Sequence, residues 1–495
     1  DDDGVADFAC GLQRFVGGEG GAVDRLLQAD VVDQGLEAFA GISEQLEGRV
    51  KTLHPAIHAG ILALRDRPTH MTLVDAETLI DLVIVNLYPF QDTVQQSDVT
   101  LEEALERIDI GGVALLRAAA KNFPHVAAVC DPGQYPAVAE ALRCGHRDLP
   151  VSMTRRLAAT AFRLTSRYDQ AIADFLSRID GRSEVASVSV RLRQALRYGE
   201  NPHQAGDWYV PDDGPAWALA TLQQGQGKVL SYNNLLDLDA ALRCLLDFQE
   251  PTCVIVKHHA PCGVASATTP PEAYDRAYAC DAESAFGGVV GCNRPLGAAL
   301  AQRLTETFLE VVLAPSVEPA AKAVLAVTPN LRVVTLEWPV QRPPEREWRH
   351  LLGSWLLQEP DLVTVPPDTL RVVTRRSPTP KEQEDLLFAW KVVKHVQSNG
   401  LVLASRRATV GIGQGQPSRV RAVGLALQQA GAQARGAVAA SDAFFPFPDG
   451  VELLARAGVT AVIQPGGSVR DAEVIEAANR ANVAMGFTGI RHFRH

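Results

Sequence analysis

The stretch "VIVKHHAPCG" (Val254–Gly263) is an apolar, β-branched run that stops at Lys257, His258 and His259 and passes into Pro-Cys-Gly. β-Branched residues favour strands, and a strand ending in an ammonium and an imidazole presents both where a ligand can reach them. Similar runs, "DLVIVNLYPF" (Asp81–Phe90) and "VAAVC" (Val126–Cys130), alternate with helix-patterned segments such as "GVALLRAAAKNF" (Gly112–Phe123). Continuous apolar strands alternating with amphipathic helices predict an α/β chain with mostly parallel sheets. Pro-Cys-Gly reads as a turn. His259 is expected to face away from His258, as adjacent strand residues do.

With 495 residues and 46% hydrophobic content, the chain can bury two or three cores. The alternation lapses in the polar "DGRSEVASVSVRLRQ" (Asp180–Gln194), which sets a boundary near Arg191. A second weak point is the proline-rich "EWPVQRPPEREW" (Glu337–Trp348). No internal repeat stands out. The net charge of -11 repels a phosphate backbone and argues against general nucleic-acid binding, while leaving room for a small anion in a local basic pocket. Eight cysteines without a C-x-x-C pair suggest neither a zinc ribbon nor a disulfide framework, and fit a reducing cytoplasm. No apolar run reaches the ~18 residues that span a bilayer, so no membrane association is expected.

Other blocks accompany the Lys-His pair. "RYGENPHQ" (Arg197–Gln204) is rich in groups that bind anions or amides, and "SYNNLLDLDAA" (Ser231–Ala241) offers Asn233 before a helix. "VQSNGLVLA" places Asn399 between a helix and a strand, and "GIGQGQPSRVRA" is a glycine turn leading to Arg419. "SDAFFPFPDG" exposes aromatics in a turn, and "GIRHFRH" (Gly489–His495) is basic and aromatic. Each alone is ordinary, since glycine turns and capping asparagines are mostly structural.

In this order, the blocks from Arg191 to His495 resemble the transformylase half of the AICAR transformylase/IMP cyclohydrolase family. The likeness continues through "GRVKTLHPAIHAGIL", "DLVIVNLYPF" and "IDIGGVALLRAAAKN", so it covers most of the chain. It implies an N-terminal methylglyoxal-synthase-like doubly wound domain (1–190) and a transformylase region of two cytidine-deaminase-like α/β subdomains (191–365 and 366–495). The deaminase zinc pattern, H-x-E with P-C-x-x-C, is absent, and no residue is assigned to a metal.

By this resemblance the reaction is formyl transfer from 10-formyltetrahydrofolate to the ring amine of AICAR, then ring closure to IMP. The amine's lone pair is delocalised towards the carboxamide, so proton removal is the central requirement. The resemblance makes His258 the base, Lys257 the group assisting the departing folate nitrogen, and Asn399 the donor to the oxyanion. It assigns Arg197, Tyr198, Asn233, Phe286, Arg419, Arg491, Phe493 and His495 to the nucleotide, and Phe444, Phe445 and Asn399 to the folate. For ring closure it implies Lys51, Tyr88, Asp109 and Lys121, with Arg49 beside the nucleotide. It further implies a homodimer with the transformylase sites built between subunits, and leaves room for a monovalent cation such as potassium.

The first phosphate site departs from the family pattern. "DDDG" stands where D-K-T-G is the rule, and "GEGGA" (Gly18–Ala22) where S-T-G-G-T is. Asp2, Asp3 and Glu19 would then repel the phosphate, so formylated nucleotide is expected to accumulate. Two alternatives remain at this point: a paralogue formylating a related aminoazole nucleotide, and a non-catalytic nucleotide-binding protein. Folate-dependent turnover of AICAR separates all three.

Overall fold

The computed structural model describes residues 7–10, 14–16, 41, 46, 49–94, 96, 98–144, 148–179, 185–212, 216–338 and 346–495. The chain divides into two compact units, Asp1–Val188 and Ser189–His495. Asp2, Asp3, Glu19 and the "GEGGA" loop lie outside the described residues. Among those described, no helix is long and apolar enough to cross a membrane.

In the first unit four strands, β1 (Asp7–Cys10), β2 (Arg14–Val16), β3 (Leu82–Ile84) and β4 (Ala127–Val129), stand in the order β2-β1-β3-β4. β3 and β4 are parallel and wholly buried, as their unbroken apolar sequence requires. Helix α1 (Gly111–Lys121) buries Leu115, Leu116, Ala118 and Ala119. The long helix Val151–Ile179 buries Leu157, Ala158, Ala161, Thr165 and Tyr168, a stripe at helical spacing.

The second unit begins with a hairpin, β5 (Val190–Ala195) and β6 (Asp207–Pro211). Its centre is a 12-stranded sheet. One half comprises β7 (Gln223–Gln226), β8 (Thr252–Lys257), β9 (Ala260–Ser266), β10 (Val289–Cys292), β11 (Val311–Ala314) and β12 (Arg332–Thr335). A separate exposed hairpin, β13 (Glu347–Leu351) and β14 (Ser354–Gln358), follows. The other half comprises β15 (Arg371–Val372), β16 (Leu401–Ser405), β17 (Ala408–Gly413), β18 (Val438–Ser441), β19 (Ala461–Gln464) and β20 (Ala484–Phe487).

The strand order reads alike in both directions from the β9–β17 seam. It runs β9-β8-β10-β11-β12-β7 one way and β17-β16-β18-β19-β20-β15 the other. Parallel and antiparallel pairings match throughout. The unit is therefore an internal repeat, which sequence reading missed because the two halves share little side-chain chemistry. Matching positions nonetheless do the same work. Ser231 and Asn234 form a capping box on α2 (Tyr232–Leu245), as Thr379 and Glu382 do on α3 (Pro380–Val393).

The hairpin turns also match, and they correct the expectation for the opening stretch. Lys257 pairs with Ala260, so His258 and His259 are the two turn residues, at φ 53° and 65°. Pro261, Cys262 and Gly263 belong to β9 and form no turn. In the second repeat Ser405 pairs with Ala408, leaving Arg406 and Arg407 at φ 54° and 56°. Two positive φ angles define a type I′ turn, for which Asn-Gly is the favoured sequence. Here aspartates compensate. Asp237 on α2 accepts from the His259 N–H at 2.6 Å, and Asp385 on α3 accepts from the Arg406 and Arg407 N–H groups at 2.8 and 2.6 Å. Asp385→Ala should therefore cost about 1–3 kcal/mol by leaving turn amides unpaired. Arg407→Gly should add about 1 kcal/mol by removing left-handed strain. Denaturant midpoints of the two variants moving in the same direction would contradict this account of the turn.

Candidate active sites

In the first unit, the segment carrying Lys51, the Tyr88 loop and Asp109 meet at the N-terminus of α1. Glycines permit the approach: a Cβ at Gly111 would lie 2.3 Å from the Thr52 hydroxyl, and one at Gly112 would lie 2.5 Å from Asp109 Oδ2. The Asp109 carboxylate accepts from Gly112 N–H at 2.7 Å and from the Tyr88 amide, while Asp109 N–H donates to the Tyr168 hydroxyl at 2.8 Å. Burial raises the Asp109 carboxyl above the ordinary carboxylate range, against the pull of those amides, and so favours a bound proton. Arg49 is exposed and paired with Glu106. Lys121 closes the opposite end of α1, about 15 Å away by helix rise. The structure thus joins Tyr88 to Asp109 and sets the Lys51–Thr52 segment against the same helix end, while Lys121 lies at the other end of α1 in the same chain.

In the second unit, α2 organises one cluster. Asn233 and Asp237 lie four residues apart and so share a face. Asn233 Nδ2 donates to the Glu200 carbonyl at 3.3 Å, fixing the loop in which Arg197 lies 4.7 Å from the Tyr198 ring and donates to its hydroxyl at 2.8 Å. Asp237 anchors the His258–His259 turn. Lys257 Nζ donates to the Phe286 and Gly287 carbonyls, both at 2.9 Å, leaving the exposed Phe286 ring beside it.

A second cluster surrounds Asn399. Asn399 Nδ2 donates to the Gln416 carbonyl at 2.8 Å, and its Oδ1 accepts from Arg419 Nη2 at 2.8 Å. Arg419 starts helix α4 (Arg419–Ala430) and is buried, with Nη1 on the Gly400 carbonyl at 2.8 Å and on Asp442. This corrects its assignment as a nucleotide ligand: its forked face is engaged with protein, and it positions Asn399. Phe445 is 0% exposed and packs among Leu401, Val423, Leu454 and Val462, so it cannot stack on a folate, whereas Phe444 is 40% exposed. Arg491 lies 4.7 Å from the Phe493 ring, which lies 5.4 Å from His495. Their segment joins the Asn399 loop through reciprocal bonds, Ser398 N–H to Arg494 O at 2.8 Å and Arg494 N–H to Ser398 Oγ at 3.1 Å.

Sequence reading missed Asp237, Asp442, Ser398 and Arg494. The repeat was the signal for two of them, since Asp237 matches Asp385 and Asp442 matches Asn293. In the first repeat Asn293 accepts from Thr252 N–H at 2.9 Å and donates to the Phe248 and Glu250 carbonyls at 3.0 and 2.9 Å. In the second, Asp442 accepts from Gly400 N–H at 3.0 Å and from Ser398 Oγ at 2.5 Å, and Arg419 supplies the donor that a carboxylate lacks. Among the described residues no cluster of His, Cys, Asp and Glu is arranged to hold a metal ion.

A family model described as the AICARFT/IMPCHase bienzyme matches residues 119–429. The chain belongs to that family. An MGS-like domain model matches residues 21–114 of this chain. Its relatives include the bifunctional purine biosynthesis protein PurH of Anoxybacillus flavithermus, 48% identical over 91% of this chain and 89% of the relative. The proteins of the same name from Synechocystis sp. and Cyanothece sp. are 46% and 47% identical, covering 96% and 100% of this chain and 94% and 98% of theirs. A solved structure titled "Crystal structure of ForH" is 35% identical, covering 29% of this chain and 76% of that chain, at a TM-score of 0.25 that carries no argument.

The matched Asn293 and Asp442 give a direct test of how the bienzyme holds Asn399. Arg419→Met should destabilise the second unit by about 3–5 kcal/mol, because Asp442 is left buried without its cation. Adding Asp442→Asn, the residue type of the first repeat, should recover most of that loss. Denaturant midpoints of the single and double variants measure it, and equal midpoints would show that the charge pair is not what the loop depends on.

Proposed function

We infer that the chain catalyses two consecutive steps of purine biosynthesis, formylation of AICAR with a formyl-folate and closure of the product to IMP. Near-full-length relatives at 46–48% identity share one name, which disfavours both the paralogue and the non-catalytic readings. The formyl donor in this reading is 10-formyltetrahydrofolate. The AICAR amine attacks the formyl carbon as His258 takes its proton, and the oxyanion is met by the second N–H of Asn399 Nδ2, the first being held by Gln416. Lys257, steadied by two carbonyls, has a third N–H for the departing folate nitrogen.

The observation carrying this reading is the turn itself, which sets an imidazole and an ammonium beside each other on a fixed backbone. Arg197, Tyr198, Asn233, Phe286, Arg491, Phe493 and His495 are assigned to the nucleotide, and Phe444 to the folate. For ring closure, Lys51, Tyr88, Asp109 and Lys121 are the assigned groups, with Asp109 as proton donor and Arg49 towards the nucleotide. The domain limits 1–190, 191–365 and 366–495 belong to the same proposal. A homodimer is supported by the exposed β13–β14 hairpin, where Leu352, Trp355 and Leu356 face solvent. Cytoplasmic location rests on the scattered cysteines, and a monovalent cation such as potassium on family likeness alone.

His258→Ala should reduce formyl transfer by about 100- to 10,000-fold while ring closure of supplied formylated nucleotide is unchanged. Product chromatography with each substrate separates the two steps, and near-normal formyl transfer in the variant would overturn the assignment.

A further inference from the structure

The two hairpin turns hold matching places in the repeat but carry different side chains, His258–His259 in the first and Arg406–Arg407 in the second. Asn-Gly would fit such a turn without left-handed strain, so two arginines retained there at φ 54° and 56° carry a strain that the turn itself does not require. We propose that the Arg406–Arg407 turn, together with Arg276, is a binding site for a phosphate group, carried by inorganic phosphate or by a nucleotide. None of the three arginines is among the residues assigned to formyl transfer or ring closure.

The backbone polar groups of both turn residues are engaged. The Arg406 and Arg407 N–H groups donate to Asp385 at 2.8 and 2.6 Å. The Arg406 carbonyl accepts from Arg276 Nη2, and the Arg407 carbonyl accepts from the Ser266 N–H at 2.9 Å. The guanidinium groups are in the opposite condition. Arg406 is exposed and Arg407 half-buried, and among the described residues neither side chain makes a hydrogen bond or an ion pair. Two uncommitted forks on a fixed backbone are preorganised for an oxyanion that accepts paired N–H bonds.

Arg276 brings a third guanidinium from the other repeat, on the helix Pro270–Tyr278. Its Nη1 donates to the Ser266 carbonyl at 3.3 Å and stands 3.7 Å from Glu272 Oε1. Burial pushes Arg276 below its ordinary value, and the charges of Arg406 and Arg407 add to this while Glu272 and Asp385 oppose it. Those two carboxylates already have other partners, Glu272 the Thr268 hydroxyl at 2.9 Å and Asp385 the turn amides. Three cations therefore share one small region of a chain whose net charge is -11. A phosphate dianion would relieve their mutual repulsion, and its oxygens match the spacing of guanidinium N–H groups.

The test uses the full chain and the double variant Arg406→Asn/Arg407→Gly, which removes both guanidiniums and installs the sequence this turn prefers. All six tryptophans lie in the second unit, so tryptophan fluorescence during urea unfolding reports on that unit. Midpoints are measured with inorganic phosphate, with AMP and, at equal ionic strength, with sodium chloride. Phosphate should raise the wild-type midpoint above its chloride value, and the apparent affinity behind that rise should fall about 10-fold or more in the variant. Comparison with the variant subtracts any phosphate bound at the substrate sites. In chloride the variant's midpoint should exceed that of the wild type, which separates lost binding from lost folding. A second variant, Arg406→Gln/Arg407→Gln, keeps the strained backbone and should lose the same phosphate effect. A larger wild-type-to-variant difference with AMP than with phosphate assigns the site to a nucleotide, and an equal or smaller one assigns it to the free anion. Equal phosphate-dependent rises in wild type and both variants, or a wild-type rise no greater than chloride gives, would overturn the proposal. So would a fall in formyl transfer by the Asn-Gly variant at saturating substrates, because it would place these arginines in the transformylase machinery.

Discussion

A two-residue hairpin built from L-residues at positive φ is costly, and the transformylase unit depends on an aspartate that answers that cost in each repeat. Left-handed backbone costs about 1–2 kcal/mol per residue, and neither His-His nor Arg-Arg relieves it. Asp237 and Asp385 do so from the neighbouring helix by accepting turn amides. The consequence for function is positional. Because the turn is bonded to α2, His258 inherits the rigidity of a helix packed on the sheet, where Leu238, Leu242 and Leu245 are buried. The same helix carries Asn233, so the nucleotide-side loop and the acid–base turn share one support.

Duplication supplied the frame, and divergence at matched positions supplied the chemistry. Asn293 closes its loop as a neutral amide with donor and acceptor both satisfied. Its counterpart Asp442 cannot donate, so the second repeat had to bring Arg419 into the interior, and Arg419 then had a spare N–H to aim at Asn399. A buried ion pair of this kind adds little stability compared with an apolar substitute. Its value here is the direction it gives to one carboxamide.

The α/β character was legible in the apolar runs that became β3, β4 and β8, but the expected mostly parallel sheets were not found. In the 12-stranded sheet only β10–β11, β11–β12, β18–β19 and β19–β20 are parallel, since tight hairpins join β8 to β9 and β16 to β17. Lys257, His258 and Asn399 were legible as residues at element ends. The turn conformation was not, since nothing in His-His announces positive φ. Phe444 and Phe445 are chemically identical in sequence, and only the packing around Val423 and Leu454 decides which one is core. Arg419 was misread because arginine near a glycine turn suggests an anion, while its actual partner, Asp442, is far away along the chain. Lys121 shares a motif with Asp109 but sits at the other end of α1, a separation visible only once the helix limits are known.

Four carboxylates among the described residues show two opposite electrostatic outcomes. Asp247 is buried, which alone would push it up, yet the hydrogen bond and charge of His395 at 2.6 Å and the ammonium of Lys394 at 2.9 Å bring it down to about 2. Glu382 is likewise held at about 2, chiefly by Arg376. Both fix one element to another and keep their charge. Asp109 and Asp237 are held by backbone amides, and burial raises both above the ordinary range. A carboxyl with a folded value above its unfolded one ionises more readily in the unfolded chain, so stability is lost as pH rises from the unfolded value through the folded one. Each unit therefore gives up some stability at neutral pH at its candidate site. At Asp109 the return is a carboxyl nearer to proton donation. At Asp237 it is an anchor for the His258–His259 turn that lies in the field of the Lys257 ammonium.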